Sequence, residues 1–108
     1  MRIVLAFVML LEAVECPSAY AETFAVAGIG TSSCGFWTEL RQRQRSEGAE
    51  QWILGFQSGI GWTHWMQTDP LNGVDAFAVW AWIDNYCRAH PLDTIQKASV
   101  EFVMAHPK

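Results

Sequence analysis

Apolar residues recur along this chain at helical rather than strand-like intervals, and four stretches carry the pattern. In "PLDTIQKASVEFVMAHP", Leu92, Ile95, Ser99, Phe102 and His106 follow one stripe with Val103 beside it. Asp93 stands at the cap position with Gln96 three residues on, a capping-box arrangement, and Pro107 stops the helix. Lys97 and Glu101 are spaced to pair one turn apart. In "AEQWILGFQSGIGW", Trp52, Ile53, Phe56 and Ile60 share a face, and Glu50, Leu54, Gln57 and Ser58 lie opposite. Gly55 and Gly59 flank the apolar face, and two interior glycines cost a helix about 2 kcal/mol relative to alanine. A neighbouring helix or bulky ring approaching the bare backbone is the expected compensation, so Trp52, Gly55, Phe56 and Gly59 form a predicted packing set.

The other two helices read less regularly. "DAFAVWAWIDNYC" predicts a helix from Asp75, its cap, to Arg88. Its centre, Ala76 to Ile83, is apolar all round, so it should be a surrounded central element or half of a homodimer contact. A shorter helix from Phe36 to Ser46 turns Phe36, Trp37 and Leu40 inward, with Ser32 or Ser33 as cap and Gly48 as stop. Residues 22–33, "ETFAVAGIGTSS", read as an extended lead-in. Residues 62–73, "WTHWMQTDPLNG", form a loop punctuated by Asp69-Pro70 and Asn72-Gly73. Trp62, His64, Trp65 and Met66 crowd its front half. Large aromatic residues are mostly buried, so this cluster is expected to fold inward as a plug; exposed, it would be a partner patch.

The N-terminus adds a compartment. Arg2, the apolar run "IVLAFVMLLEAV" and the small-x-small ending Ala19-Tyr20-Ala21 have the layout of a secretory signal peptide spanning residues 1–21. The run falls short of the roughly 20 apolar residues a stable membrane span needs. The expected domains are therefore a signal (1–21), the lead-in (22–33) and a helical domain (34–108), in a periplasmic or secreted protein. Cleavage removes Arg2, Glu12 and Glu15 and leaves a net charge near −3. This mild acidity argues against nucleic acid, whose phosphates need clustered positive charge. Arg41, Arg43 and Arg45 alternate with glutamine and spread around a helix, which reads as a solvated face.

Candidate chemistry narrows to sulfur. Cleavage would remove Cys16 and leave Cys34 and Cys87, an even pair in an oxidising compartment. A disulfide closing a loop of about 54 residues would contribute roughly 4 kcal/mol, a large share of a small domain's stability. Two other readings stay open. Cys87 with His90 would make a thiolate–imidazole pair for acyl transfer, although no third residue orients it. Cys34, Cys87, His90 and His64 would make a zinc site, although the first half lacks paired spacing. "GIGTSS" lacks the third glycine of a nucleotide loop, and Leu71 and Gly73 occupy ligand positions of a calcium loop. No cofactor is expected.

Cys34 with Phe36-Trp37, Trp52 to Gly59, "YCRAHPLDTI" and the terminal "AHP" together resemble the HdeA/HdeB acid-stress chaperones of the bacterial periplasm. They are also similar to the Tai-type immunity proteins that neutralise amidase effectors of type VI secretion. The resemblance covers roughly residues 34 to 107. In it Cys34 and Cys87 match the paired cysteines and Pro91 the proline after the second. It implies no catalytic residue. This chain is poorer in charge and richer in tryptophan than the chaperones, and its 62–73 loop has no counterpart to align. The expectation is an all-α protein: a small bundle of four short helices with one disulfide after a cleaved signal peptide. It would bind or protect another protein without catalysis. The alternatives are an envelope subunit that homodimerises and a Cys/His-dependent hydrolase.

Overall fold

The computed structural model describes residues 25–106, so the predicted signal peptide and Pro107 lie outside the described residues. Four helices follow one another: α1 (Cys34–Gln42), α2 (Glu47–Thr63), α3 (Ala76–Ala89) and α4 (Ile95–Ala105). No strand element occurs among the described residues, and none of their helices is long and apolar enough to cross a membrane. The all-α expectation holds. α1 packs on α3, and α4 packs on both α2 and α3. Trp37, Ile53, Val79, Ile83, Ile95 and Phe102 close the core between them.

The two sulfurs are bonded. Cys34 opens α1 and Cys87 closes α3, with their Cα atoms 4.7 Å apart. Backbone hydrogen bonds reinforce this junction. The first amide groups of a helix have no partner within it, and here the turn between α3 and α4 supplies them. The Cys34 N–H donates to the Asp93 carbonyl at 2.6 Å, and the Gly35 N–H donates to that of Pro91 at 2.9 Å. In return the Ile95 N–H donates to the Ser32 carbonyl at 2.9 Å. The disulfide therefore clamps a site where chain segments about sixty positions apart already share their main-chain donors.

Caps follow local chemistry, with one exchange. Ser33 accepts from the Phe36 N–H and Asp75 from the Ala78 N–H, as the sequence predicts. On α4 the cap is Thr94, which accepts from Lys97, and not Asp93. Asp93 instead accepts the phenolic hydrogen of Tyr86 at 2.6 Å, a contact across the α3–α4 turn that outcompetes the local capping box. Gly48 does not stop α1. That helix ends at Gln42, and Gly48 sits in the first turn of α2. The predicted Lys97–Glu101 pair forms at 2.8 Å.

The lead-in departs from a simple extended run, because Ile29–Thr31 makes a 3-10 turn after Gly28 takes a φ of 87°. Its two glycines receive Trp52. A methyl group on Gly30 would overlap the six-membered ring of that side chain, and Trp52 donates its indole N–H to Ala27 at 3.0 Å. The close packing predicted over Gly55 and Gly59 does not occur; the ring meets the glycines of the lead-in instead. Among the described residues nothing approaches within 4 Å of the Cβ positions of Gly55 and Gly59.

Two further faces are corrected. α2 buries Ala49, Ile53 and Gln57, so its inward stripe is rotated from the predicted one, and Gln57 is fully enclosed. α3 is not surrounded. Val79, Ile83 and Cys87 face inward, whereas Ala78 and Ala81 are exposed and Phe77 is 78% exposed. The arginine series is not uniformly solvated either. Arg43 pairs with Glu39 at the surface, but Arg41 joins three helices, at 3.0 Å from Asp84 and 3.3 Å from Glu50.

Candidate partner-binding surface

The C-terminal half of α2 has little above it. Phe56, Ile60 and Trp65 on one side and Gln96 and Val100 on the other wall a groove of about 670 Å³. Gly55 and Gly59 form its floor, where the absent side chains leave the backbone bare. Phe56 is held in place by stacking on Trp52, ring centroids 5.0 Å apart, and Trp52 is in turn pinned by the lead-in. The floor is costly: two glycines forfeit about 2 kcal/mol of helix propensity, and no contact among the described residues offsets it.

Beyond Thr63 the chain turns outward. His64 ends α2 in the left-handed region at φ 53°, and Met66 and Gln67 adopt φ values of 52° and 57°. For residues with a Cβ this region costs roughly 1–2 kcal/mol each. The turn carries Met66 at 61% and Trp65 at 45% exposure, with His64 exposed beside them, and Trp62 in the last turn of α2 is 86% exposed. The inward plug is therefore overturned, since Thr68 and Pro70 fill the inner position instead. The cluster divides between two concavities. Trp65 walls the groove, whereas Trp62 and His64 line a cleft of about 540 Å³ with Ser58, Gly61 and Asp69.

A third cleft, of about 420 Å³, is charged and includes Thr38, Arg41, Asp84 and Arg88. Its charges are largely committed. Asp84 accepts from the Trp37 indole at 2.8 Å and from two nitrogens of Arg41 at 3.0 Å each. The hydrogen bonds to Asp84 raise the Arg41 guanidinium above its ordinary value, with burial opposing them. Arg41 also lies over the Trp37 ring, 5.4 Å from its centroid.

The alternatives for sulfur are not assembled. Cys87 is bonded to Cys34, so the pairing with His90 does not form. His90 stacks on Tyr86 at 4.2 Å, and its Nδ1 lies 3.0 Å from the Tyr86 carbonyl. His106 repeats the arrangement at the end of α4, stacked on Phe102 at 4.3 Å with Nδ1 2.8 Å from that residue's carbonyl. The shared signature, an aromatic residue four positions before the histidine of Ala-His-Pro, is visible in the sequence at 86–91 and 102–107. Among the described residues no group of three or more His, Cys, Asp and Glu could hold a metal ion, and the four zinc candidates do not converge.

Sequence reasoning missed two residues here. Asp84, one acidic residue in an apolar helix, was a legible signal for a bound cation. The isolation of Gln57 carried no such signal, and its carboxamide oxygen and nitrogen have no hydrogen-bond partner among the described residues. Comparison of the chain with family models, with curated proteins and with solved structures gives no match.

Proposed function

We propose that this protein is exported to the periplasm and acts there, without catalysis, by binding or protecting another protein, in the manner of an HdeA-like chaperone or an effector-immunity protein. The observation that carries the reading is the apolar surface at the end of α2. There Trp62, Trp65 and Met66 stand exposed beside a groove with a bare backbone floor. Aromatic residues and methionine are enriched at the cores of protein interfaces. The Cys34–Cys87 bond supports the export half of the reading, because such bonds persist in oxidising compartments.

Two measurements test it. Cell fractionation should recover the chain, shortened at its N-terminus, from the periplasm. The purified mature protein should keep thermally unfolding citrate synthase from scattering light. Tight one-to-one binding to a single amidase effector, with no effect on scattering, would assign the immunity role. Failure in both assays overturns the protein-binding reading.

The outward face of α3 favours a second reading, a homodimeric envelope subunit. Phe77 packs edge-on to Trp80 at 5.3 Å yet remains open to solvent. Sedimentation as a dimer that Phe77→Ser converts to monomer would support that alternative.

A further inference from the structure

Resting on the protein-binding reading, we infer that the groove between α2 and α4 seats a single apolar-faced helix of another protein, in the folded state and without prior loosening of the bundle. Charge selects this occupant. Among the described residues the groove itself is lined by no Asp, Glu, Lys or Arg, and the nearest carboxylate along the chain, Asp69, lies against Gly61 in the neighbouring cleft. On the α4 side, Lys97 and Glu101 neutralise each other at 2.8 Å. A charged partner face would lose its hydration here and gain no counter-charge. An anionic bilayer would need a cluster of basic residues, and this face has none unpaired among the described residues.

Area selects between a helix and a second folded copy. Ring-sized side chains bury about 200 Å² each. At that value the exposed fractions of Trp65 and Met66 at the groove's rim amount to about 200 Å², against about 800 Å² per partner in a standard complex of two folded proteins. Length agrees. The floor from Gly55 to Thr63 is about 12 Å long at 1.5 Å per residue, enough for an anchor at i, another at i+4 and a third at i+7 against Trp65. The glycines let such a helix approach the α2 backbone closely. The left-handed residues His64, Met66 and Gln67 hold the aromatic rim open.

The test uses the mature, oxidised protein and a capped alanine–glutamine helix carrying leucine at i, i+4 and i+7. A control peptide carries the same leucines spread around the axis. Calorimetry should give a Kd on the order of 10 μM for the first peptide and at least about tenfold weaker binding for the control. Gly59→Leu, which fills the floor where no described residue lies within 4 Å, should weaken the first peptide at least about tenfold while leaving the circular dichroism and raising the melting temperature. Trp65→Ala provides an independent variant and should weaken the peptide similarly. Equal binding of both peptides, or binding that neither substitution alters, overturns the inference. So does a sedimenting dimer that Gly59→Leu dissolves, or phosphatidylcholine–phosphatidylglycerol vesicles bound with the same sensitivity to Gly59→Leu. Protection of citrate synthase that survives Gly59→Leu would remove the groove and keep the protein-binding function. Peptide binding without protection or effector binding would do the reverse.

Discussion

The ring of Trp52 occupies the space that a side chain on Gly30 would need, so the lead-in and α2 fit together only because that position has no Cβ. Gly30→Ala should therefore destabilise the fold by about 1–3 kcal/mol through overpacking. Gly55→Ala and Gly59→Ala should each stabilise it by about 0.5–1 kcal/mol, because their Cβ positions meet nothing among the described residues. Urea denaturation of the three variants checks the opposite signs. Equal effects at Gly30 and Gly59 would refute the assignment.

Asp84 should be the most sensitive carboxylate. It links α3 to α1 through the Trp37 indole and through Arg41, which in turn reaches Glu50 on α2. Asp84→Ala would leave the Trp37 N–H, on a fully buried residue, without its acceptor and would release Arg41. The expected loss is about 1.5–3 kcal/mol, the range for hydrogen bonds to charged groups. The surface pair of Arg43 and Glu39 is the control, and Glu39→Gln should cost well under 1 kcal/mol.

Gln57 offers a gain. Its carboxamide is enclosed without partners among the described residues, and desolvation of an unpaired polar group costs about 1–3 kcal/mol. Gln57→Met keeps the length and removes the amide, so it should raise stability by about that amount. A fall in stability would mean that the carboxamide is satisfied in solution.

Tyr86 should titrate late. Partial burial and then the hydrogen bond to Asp93 push its hydroxyl up to about 12 from an ordinary 10.0. A group raised on folding contributes stability that is complete below the unfolded pKa and is lost as pH climbs through the folded one, so the window runs from about pH 10 to 12. Tyrosinate absorbance of a chain spanning residues 22–108, in which Tyr86 is the one tyrosine, should rise near pH 12 in buffer and near 10 in urea. Asp93→Asn should bring the folded midpoint down.

Removing the Cys34–Cys87 bond should cost about 2–5 kcal/mol, measured on the double serine variant. Alkylation of a denatured chain spanning residues 22–108 should find no free thiol. Two free thiols would refute the bond.

Four helices, the Ser33 and Asp75 caps and the pairing of Lys97 with Glu101 were all legible in the chain itself. Each depends on residues within about one turn, where propensity and side-chain reach decide the outcome. Tertiary structure alone decided the rest. Asp93 left its cap for Tyr86, Arg41 left solvent for Asp84, and Gln57 turned inward although polar. Which glycines would meet a ring was also beyond local pattern, since a period of 3.6 identifies helix faces but not the element that covers each of them. The left-handed backbone at His64, Met66 and Gln67 turned an expected plug into an open aromatic rim. That reversal depends on Thr68 and Pro70 filling the interior first, a competition for volume that separates residues adjacent in sequence.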